Sequence, residues 1–157
     1  MKKIYVILML AFVATVATSC VQPFEPTITL ALNNTELTLP ASTEKAYPTH
    51  FIQVTSNGSW EATLETYGEN ETWCAIEDYY VTTYTNEDGL AEEIHNPVAN
   101  VTVIERFPNS DKGCKVQGTG TVYLPLHYNA AGSKRYAVFS VRRVDTGEVC
   151  VMRIVQQ

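Results

Sequence analysis

The chain has 157 residues, 45% of them hydrophobic, with 11 lysines and arginines against 17 aspartates and glutamates, a formal net charge of −6 at pH 7. That composition supports one buried core, and its acidic balance makes nucleic acid a poor partner. Four cysteines occur without a CxxC, HExxH or paired Cys/His spacing, so a structural zinc site has little support and no cofactor is implied.

The chain opens on MKKIYVILMLAFVATVATSC. Lys2 and Lys3 form a basic start, Ile4 to Val16 is an apolar run too short for a comfortable membrane span, and Ala17, Thr18 and Ser19 lead to Cys20. This resembles a bacterial lipoprotein signal: residues 1–19 would be removed and Cys20 lipidated, which anchors the chain to a membrane without spanning it. Ala17 stands where such motifs prefer Leu, and the other reading is an ordinary secretory signal with Cys20 incidental. Both export the protein. Removing 19 of the 157 residues leaves 138, and the loss of Lys2 and Lys3 leaves nine basic against 17 acidic side chains. Residues 21–25 carry one acidic residue, Glu25, and lack the acidic cluster that the lipoprotein resemblance would imply for surface display, so the surface and periplasmic faces of an outer membrane stay equally open.

Residues 20–26, with two prolines in VQPFEP, read as a lipidated cysteine and short tether, and 27–157 as one domain. Apolar residues fall at every second position in Ile28–Leu32 and Leu37–Leu39, and Phe51–Ser56 is rich in strand formers before the turn signal Asn57-Gly58. Trp60–Tyr67 reads as the returning strand, and Trp73–Ile76 and Val98–Ile104 as short apolar segments before a polar, Gly-rich run from Pro108 to Gly120. In the last third, Val122, Leu124, Leu126 and Tyr128 alternate with polar positions, as do Ala137, Phe139 and Val141, then Cys150, Met152 and Ile154. Pro125 lacks a donor, which favours an edge or a bulge, and Asp145-Thr146-Gly147 reads as a hairpin turn. No segment has convincing helical periodicity. The pattern predicts an all-β fold, a single immunoglobulin-like antiparallel β-sandwich.

With Cys20 assigned to lipid, Cys74, Cys114 and Cys150 remain, an odd number in an oxidising compartment. At most one intramolecular bridge can form, and the sequence leaves all three pairings, or three buried thiols, open.

SNGSWEA at 56–62, Trp73-Cys74, GTGTVYL at 118–124, Asn129, the Arg135-x-Ala137-x-Phe139-x-Val141 strand and the closing Ile154-Val155-Gln156 occur in order. Together they resemble the BACON domain, a Bacteroidetes-associated family named for carbohydrate binding and often N-terminal placement. The resemblance implies a small β-sandwich in an exported lipoprotein, with a sugar or a glycan-handling complex as partner. It covers roughly 28–157, and 77–117 stands as an insertion in place of a shorter connection. Most matching residues suit structural roles: Trp60 and Trp73 as core aromatics, Gly118 and Gly120 as turn or close-approach glycines. Arg135 suits a carboxylate or loop carbonyl, and Gln156 a backbone pairing inside the sandwich.

Sugar sites on sandwiches pair flat aromatic faces with carboxylates or amides that meet hydroxyl groups. Within EDYYVTTYTN, Tyr79, Tyr80 and Tyr84 form a candidate platform, with Asp78, Asn86 and Glu87 as polar partners; tyrosines are also plain strand formers that cover a core edge. His50, His95 and His127 sit in no nucleophile motif, and an enzyme is not expected. Two functions follow as expectations: a non-catalytic, lipid-anchored, carbohydrate-binding envelope module, or an envelope lipoprotein that binds a protein partner through its insertion and strand edges. Exposed, coplanar tyrosines favour the first, and buried ones the second.

Overall fold

Each long run of this chain that alternates apolar and polar residues becomes a strand with one buried face, because successive side chains leave a strand on opposite sides. The computed structural model describes residues 29–41, 49–68, 73–106, 113–131 and 134–157; the expected signal segment and Cys20 lie outside the described residues. In chain order the strands are β1 (Leu30–Leu32), β2 (Glu36–Leu39), β3 (Thr49–Ser56), β4 (Ser59–Tyr67), β5 (Cys74–Ile76) and β6 (Tyr79–Thr85). They continue as β7 (Ala91–Pro97), β8 (Val101–Arg106), β9 (Gly113–Thr119), β10 (Val122–Tyr128), β11 (Arg135–Arg143) and β12 (Val149–Gln156).

A four-stranded sheet, β1-β3-β10-β5, faces a six-stranded one, β2-β12-β11-β4-β9-β8, and β6-β7 form a separate two-stranded ribbon. The protein is an all-β, immunoglobulin-like sandwich in which every pairing among the described residues is antiparallel except β2 with β12. Between the layers lie Ile52, Val54, Leu64, Leu124, Leu126, Phe139 and Ile154, all at 0% exposure. The alternation of the last third therefore names the inward faces of β10, β11 and β12 correctly.

Two features differ from the sequence reading. Pro125 lies in an interior strand, between β3 and β5, not at an edge. Its carbonyl accepts the Glu77 N–H at 3.1 Å, just past the end of β5, so the side that lacks a donor faces the point where that short strand stops. Segment 77–117 is not one excursion: β9 pairs with β4 over seven residues and β8 with β9, so its second half completes the larger sheet, and only β6-β7 stand apart. Gly118 lies in β9 and takes the close-approach role of the two read for it, not the turn. A Cβ there would meet Trp60 Cζ2 at 2.3 Å, so glycine leaves room for an indole at 0% exposure whose N–H donates to the Gly120 carbonyl at 3.1 Å. Gly120 does hold a turn conformation, at φ 71.

The layers are also tied by a buried polar knot. Arg135 and Gln156 are register partners on β11 and β12, and both point inward. Arg135 Nε donates to Gln156 Oε1 at 2.7 Å, and its Nη2 to the carbonyls of Asn129 and Ala131 at 2.7 and 2.9 Å. Gln156 Nε2 donates to the carbonyls of Asn129 and Ala130 at 3.0 and 2.9 Å. The guanidinium also lies 5.0 Å from the Trp73 ring centroid, a cation–π contact. Arg135→Met keeps the stem and removes the fork, stranding buried carbonyls, and is expected to lower unfolding free energy by about 2–4 kcal/mol. Urea denaturation checks this; a loss below about 0.5 kcal/mol, the usual range for a surface change, would refute a structural role.

Candidate functional site

The ribbon that leaves the sandwich after β5 holds the residues singled out for binding. Tyr79↔Pro97 through Thr85↔Ala91 pair without a bulge. The loop is organised by Asn86, whose N–H donates to the Leu90 carbonyl at 2.9 Å and whose Oδ1 accepts the N–H groups of Asp88 and Leu90 at 3.1 and 2.9 Å. Gly89, at φ 78, takes the left-handed position the loop requires. At the base, the Val98 N–H donates to the Asp78 carbonyl at 2.8 Å, so the ribbon starts and ends at one point.

Strand alternation decides what the tyrosines do. Tyr80 and Tyr84 share one face of β6, and Tyr79 lies on the other. Tyr79 stacks on His95 with centroids 4.6 Å apart and planes 8° apart, and meets His127 edge-on at 5.9 Å. Tyr80 is half-buried, edge-on to Phe51 at 5.7 Å. The three tyrosines thus form no single coplanar platform: two seat the ribbon on the outer face of the four-stranded sheet, where Pro125 is buried, and Tyr84, 45% exposed, faces solvent. His127 belongs to that seat. Its Nε2 is buried with no hydrogen-bond partner among the described residues, and burial holds its pKa below the ordinary histidine value, against the opposing pull of a hydrogen bond to the Tyr79 backbone.

Asp78 stands at the base, paired with Arg106 at 3.2 Å, while Arg106 also pairs with Glu77. Asn86 is eight residues further along an extended strand, roughly 25 Å away, so Asp78 and Asn86 serve different places. The group the structure does assemble near the loop is Tyr84, Asn86 and Glu92. The Tyr84 phenol and the Asn86 amide both donate to the Glu92 carboxylate, the latter at 2.6 Å. Glu87, the remaining polar candidate, lies exposed in the loop itself. Thr82, Ile94 and Asn96 continue the Tyr84 face, with Asn96 Nδ2 donating to Thr82 Oγ1 at 3.0 Å. Glu92 escapes sequence reasoning because AEEIHNP shows no alternation, although Asn86-Glu87-Asp88-Gly89 is turn chemistry that marks the hairpin.

A second concave feature lies at the Trp60 end of the sandwich. An open groove of about 560 Å³ is lined by Ser59, Glu61, Asn100, Thr102, Gln117 and Thr119, with Gly118 and Trp60 beneath. Among the described residues, no group of three or more His, Cys, Asp or Glu side chains is placed to hold a metal ion, and no helix is long and apolar enough to cross a membrane.

No protein-family model and no curated relative matches the chain. Among solved structures it is similar to a DUF4466 family protein from Parabacteroides merdae, at 12% identity and a TM-score of 0.43, covering 80% of this chain and 42% of that one. It is also similar to the ASH/PapD-like domain of human CEP192 (PapD-like domain 7), at 12% identity and a TM-score of 0.36, covering 90% of this chain and 94% of that one. The chain thus spans about two-fifths of the length of the Parabacteroides protein.

The Tyr84 phenol first, and the Asn86 amide second, hold the Glu92 carboxyl below its usual value of 4.5, while Glu92 raises the Tyr84 phenol. A depressed carboxyl pKa means the contact contributes above 4.5 and is lost as pH falls through the lower folded value. Carbon-detected titration of Glu92 is expected to show a midpoint below 4.5 that returns toward it in Tyr84→Phe. An unchanged midpoint in that variant would show that the pair does not form.

Proposed function

We propose that this protein is a non-catalytic, lipid-anchored envelope module that binds glycan through the Tyr84 face of the β6-β7 ribbon. The observation that carries the reading is Tyr84 itself, an exposed aromatic whose phenol is held by Glu92, beside Thr82, Ile94 and Asn96. A ring already fixed in place loses little freedom when an apolar sugar face covers it, and the adjoining carboxylate and amide supply acceptors and donors for hydroxyl groups. The BACON resemblance supports the sugar half of the reading, and the lipoprotein-like start supports the anchor at Cys20.

One observation favours a protein partner instead. The ribbon pairs with neither sheet, so both its edges carry backbone groups without ladder partners in the described residues, beside Leu90 at 64% and Ile94 at 46% exposure. Such an edge accepts an added strand.

Residues 22–157, screened on plant and host polysaccharides, are expected to bind a subset selectively, with at least a tenfold loss in Tyr84→Ala and Glu92→Gln, roughly 1.4 kcal/mol or more. Absence of binding by a folded domain would overturn the glycan reading and leave the protein partner.

A further inference from the structure

Cys74 on β5 and Cys114 on β9 come from opposite layers, point into the same core and are each 2% exposed. Among the described residues β5 ends its sheet, so the N–H groups along its outer side meet no neighbouring strand there. One of these, on Ile76, donates to Cys114 Sγ at 3.5 Å. Cys74 and Ile76 share a face and lie about 7 Å apart along the strand, so the Cys114 sulfur reaches β5 one pleat from Cys74. The corner is closed from the other side as well: Arg106, the register partner of Cys114 on β8, pairs with Glu77 and Asp78, which directly follow β5.

Topology excludes the other two pairings. Cys150 lies inward on β12, its Sγ 3.7 Å from the Leu30 carbonyl of β1. β1 and β5 are opposite edges of the four-stranded sheet, and β12 and β9 are three strands apart in the six-stranded one. Three strand spacings are about 14 Å, whereas disulfide-linked Cα atoms lie within roughly 7 Å.

We propose that Cys74 and Cys114 form an inter-sheet disulfide when the chain meets a disulfide oxidant, leaving Cys150 as the free thiol. One thiolate attacks the oxidant's disulfide and releases one of its sulfurs. The second thiolate then attacks the protein sulfur of the mixed disulfide and expels the oxidant's remaining sulfur, so two thiols lose two protons, an S–S bond forms, and the electron pair leaves as two thiols on the oxidant. Burial raises both thiol pKa values, so neither is ionised in the folded core and the bond closes while this corner is open, during folding. For its oxidant in the cell, the proposal rests on the exported-protein reading above.

The full chain, purified from cells under acid quench and alkylation, is to be mapped by mass spectrometry, and a reduced sample refolded with oxidised glutathione mapped beside it. The expected result is a Cys74–Cys114 linked peptide with Cys150 alkylated, and a midpoint temperature that falls on the order of 10 °C with reductant. That fall should persist in Cys150→Ala and vanish in Cys114→Ala. A bridge in the refolded sample with free thiols in cells supports the pairing and counts against export. Three alkylated cysteines after refolding in oxidant, or a bridge through Cys150, would overturn the proposal.

Discussion

The rest of the structure depends on the buried pairing of Arg135 with Gln156. The connection after β10 turns inward at Asn129–Ala131, and its carbonyls have no strand to meet; left dry and unpaired, each would cost on the order of 1–3 kcal/mol. The arginine fork and the glutamine amide reach them from the facing sheet. Because both residues occupy inward positions of adjacent strands, a one-residue slip of β11 against β12 would turn the guanidinium to solvent and strand the loop. The knot therefore sets register as well as joining layers. At the other end of the sandwich, the close approach of Trp60 to Gly118 holds β4 against β9 by shape instead.

A sandwich held at both ends leaves the β6-β7 ribbon free to vary. Among the described residues its backbone pairs with no other strand, and Tyr79 and Tyr80 seat it by ring contacts with His127 and Phe51. The surface that remains, from Thr82 to Tyr84 with Glu92 to Asn96 opposite, combines polar side chains with the exposed Tyr84 and Ile94 and is oriented by its own hydrogen bonds rather than by the core. Residues there contribute little to the layers beneath, which is the usual situation of a binding surface carried on a rigid scaffold.

What the sequence made legible follows from periodicity. In β10, β11 and β12 one face is buried throughout, so alternation alone identifies Leu124, Phe139 and Ile154 as core, and the inward phase of Arg135 and Gln156 marks them as paired polar residues. In β7 nearly every position is exposed, so AEEIHNP carries no phase; β9 has only Cys114 and Val116 as inward apolar side chains, and GCKVQGT reads as loop. Without these strands the tyrosines of β6 looked like one cluster, when a period of two puts Tyr79 opposite to Tyr80 and Tyr84. Glu92 was hidden for the same reason, since a cross-strand partner is visible only once the register is known. The strand neighbour that excuses Pro125 is likewise a tertiary fact.

Separate roles for scaffold and ribbon mean that the ribbon can be excised without loss of the fold. Asp78 and Val98 already meet through a backbone hydrogen bond, so residues 79–97 can be replaced by a short Gly/Asn turn and the product assayed for both thermal unfolding and glycan binding. The expected result is a cooperative fold with its midpoint within a few degrees of the parent and no remaining binding. Loss of the cooperative transition would show that the ribbon is part of the fold, and binding retained without it would place the site elsewhere.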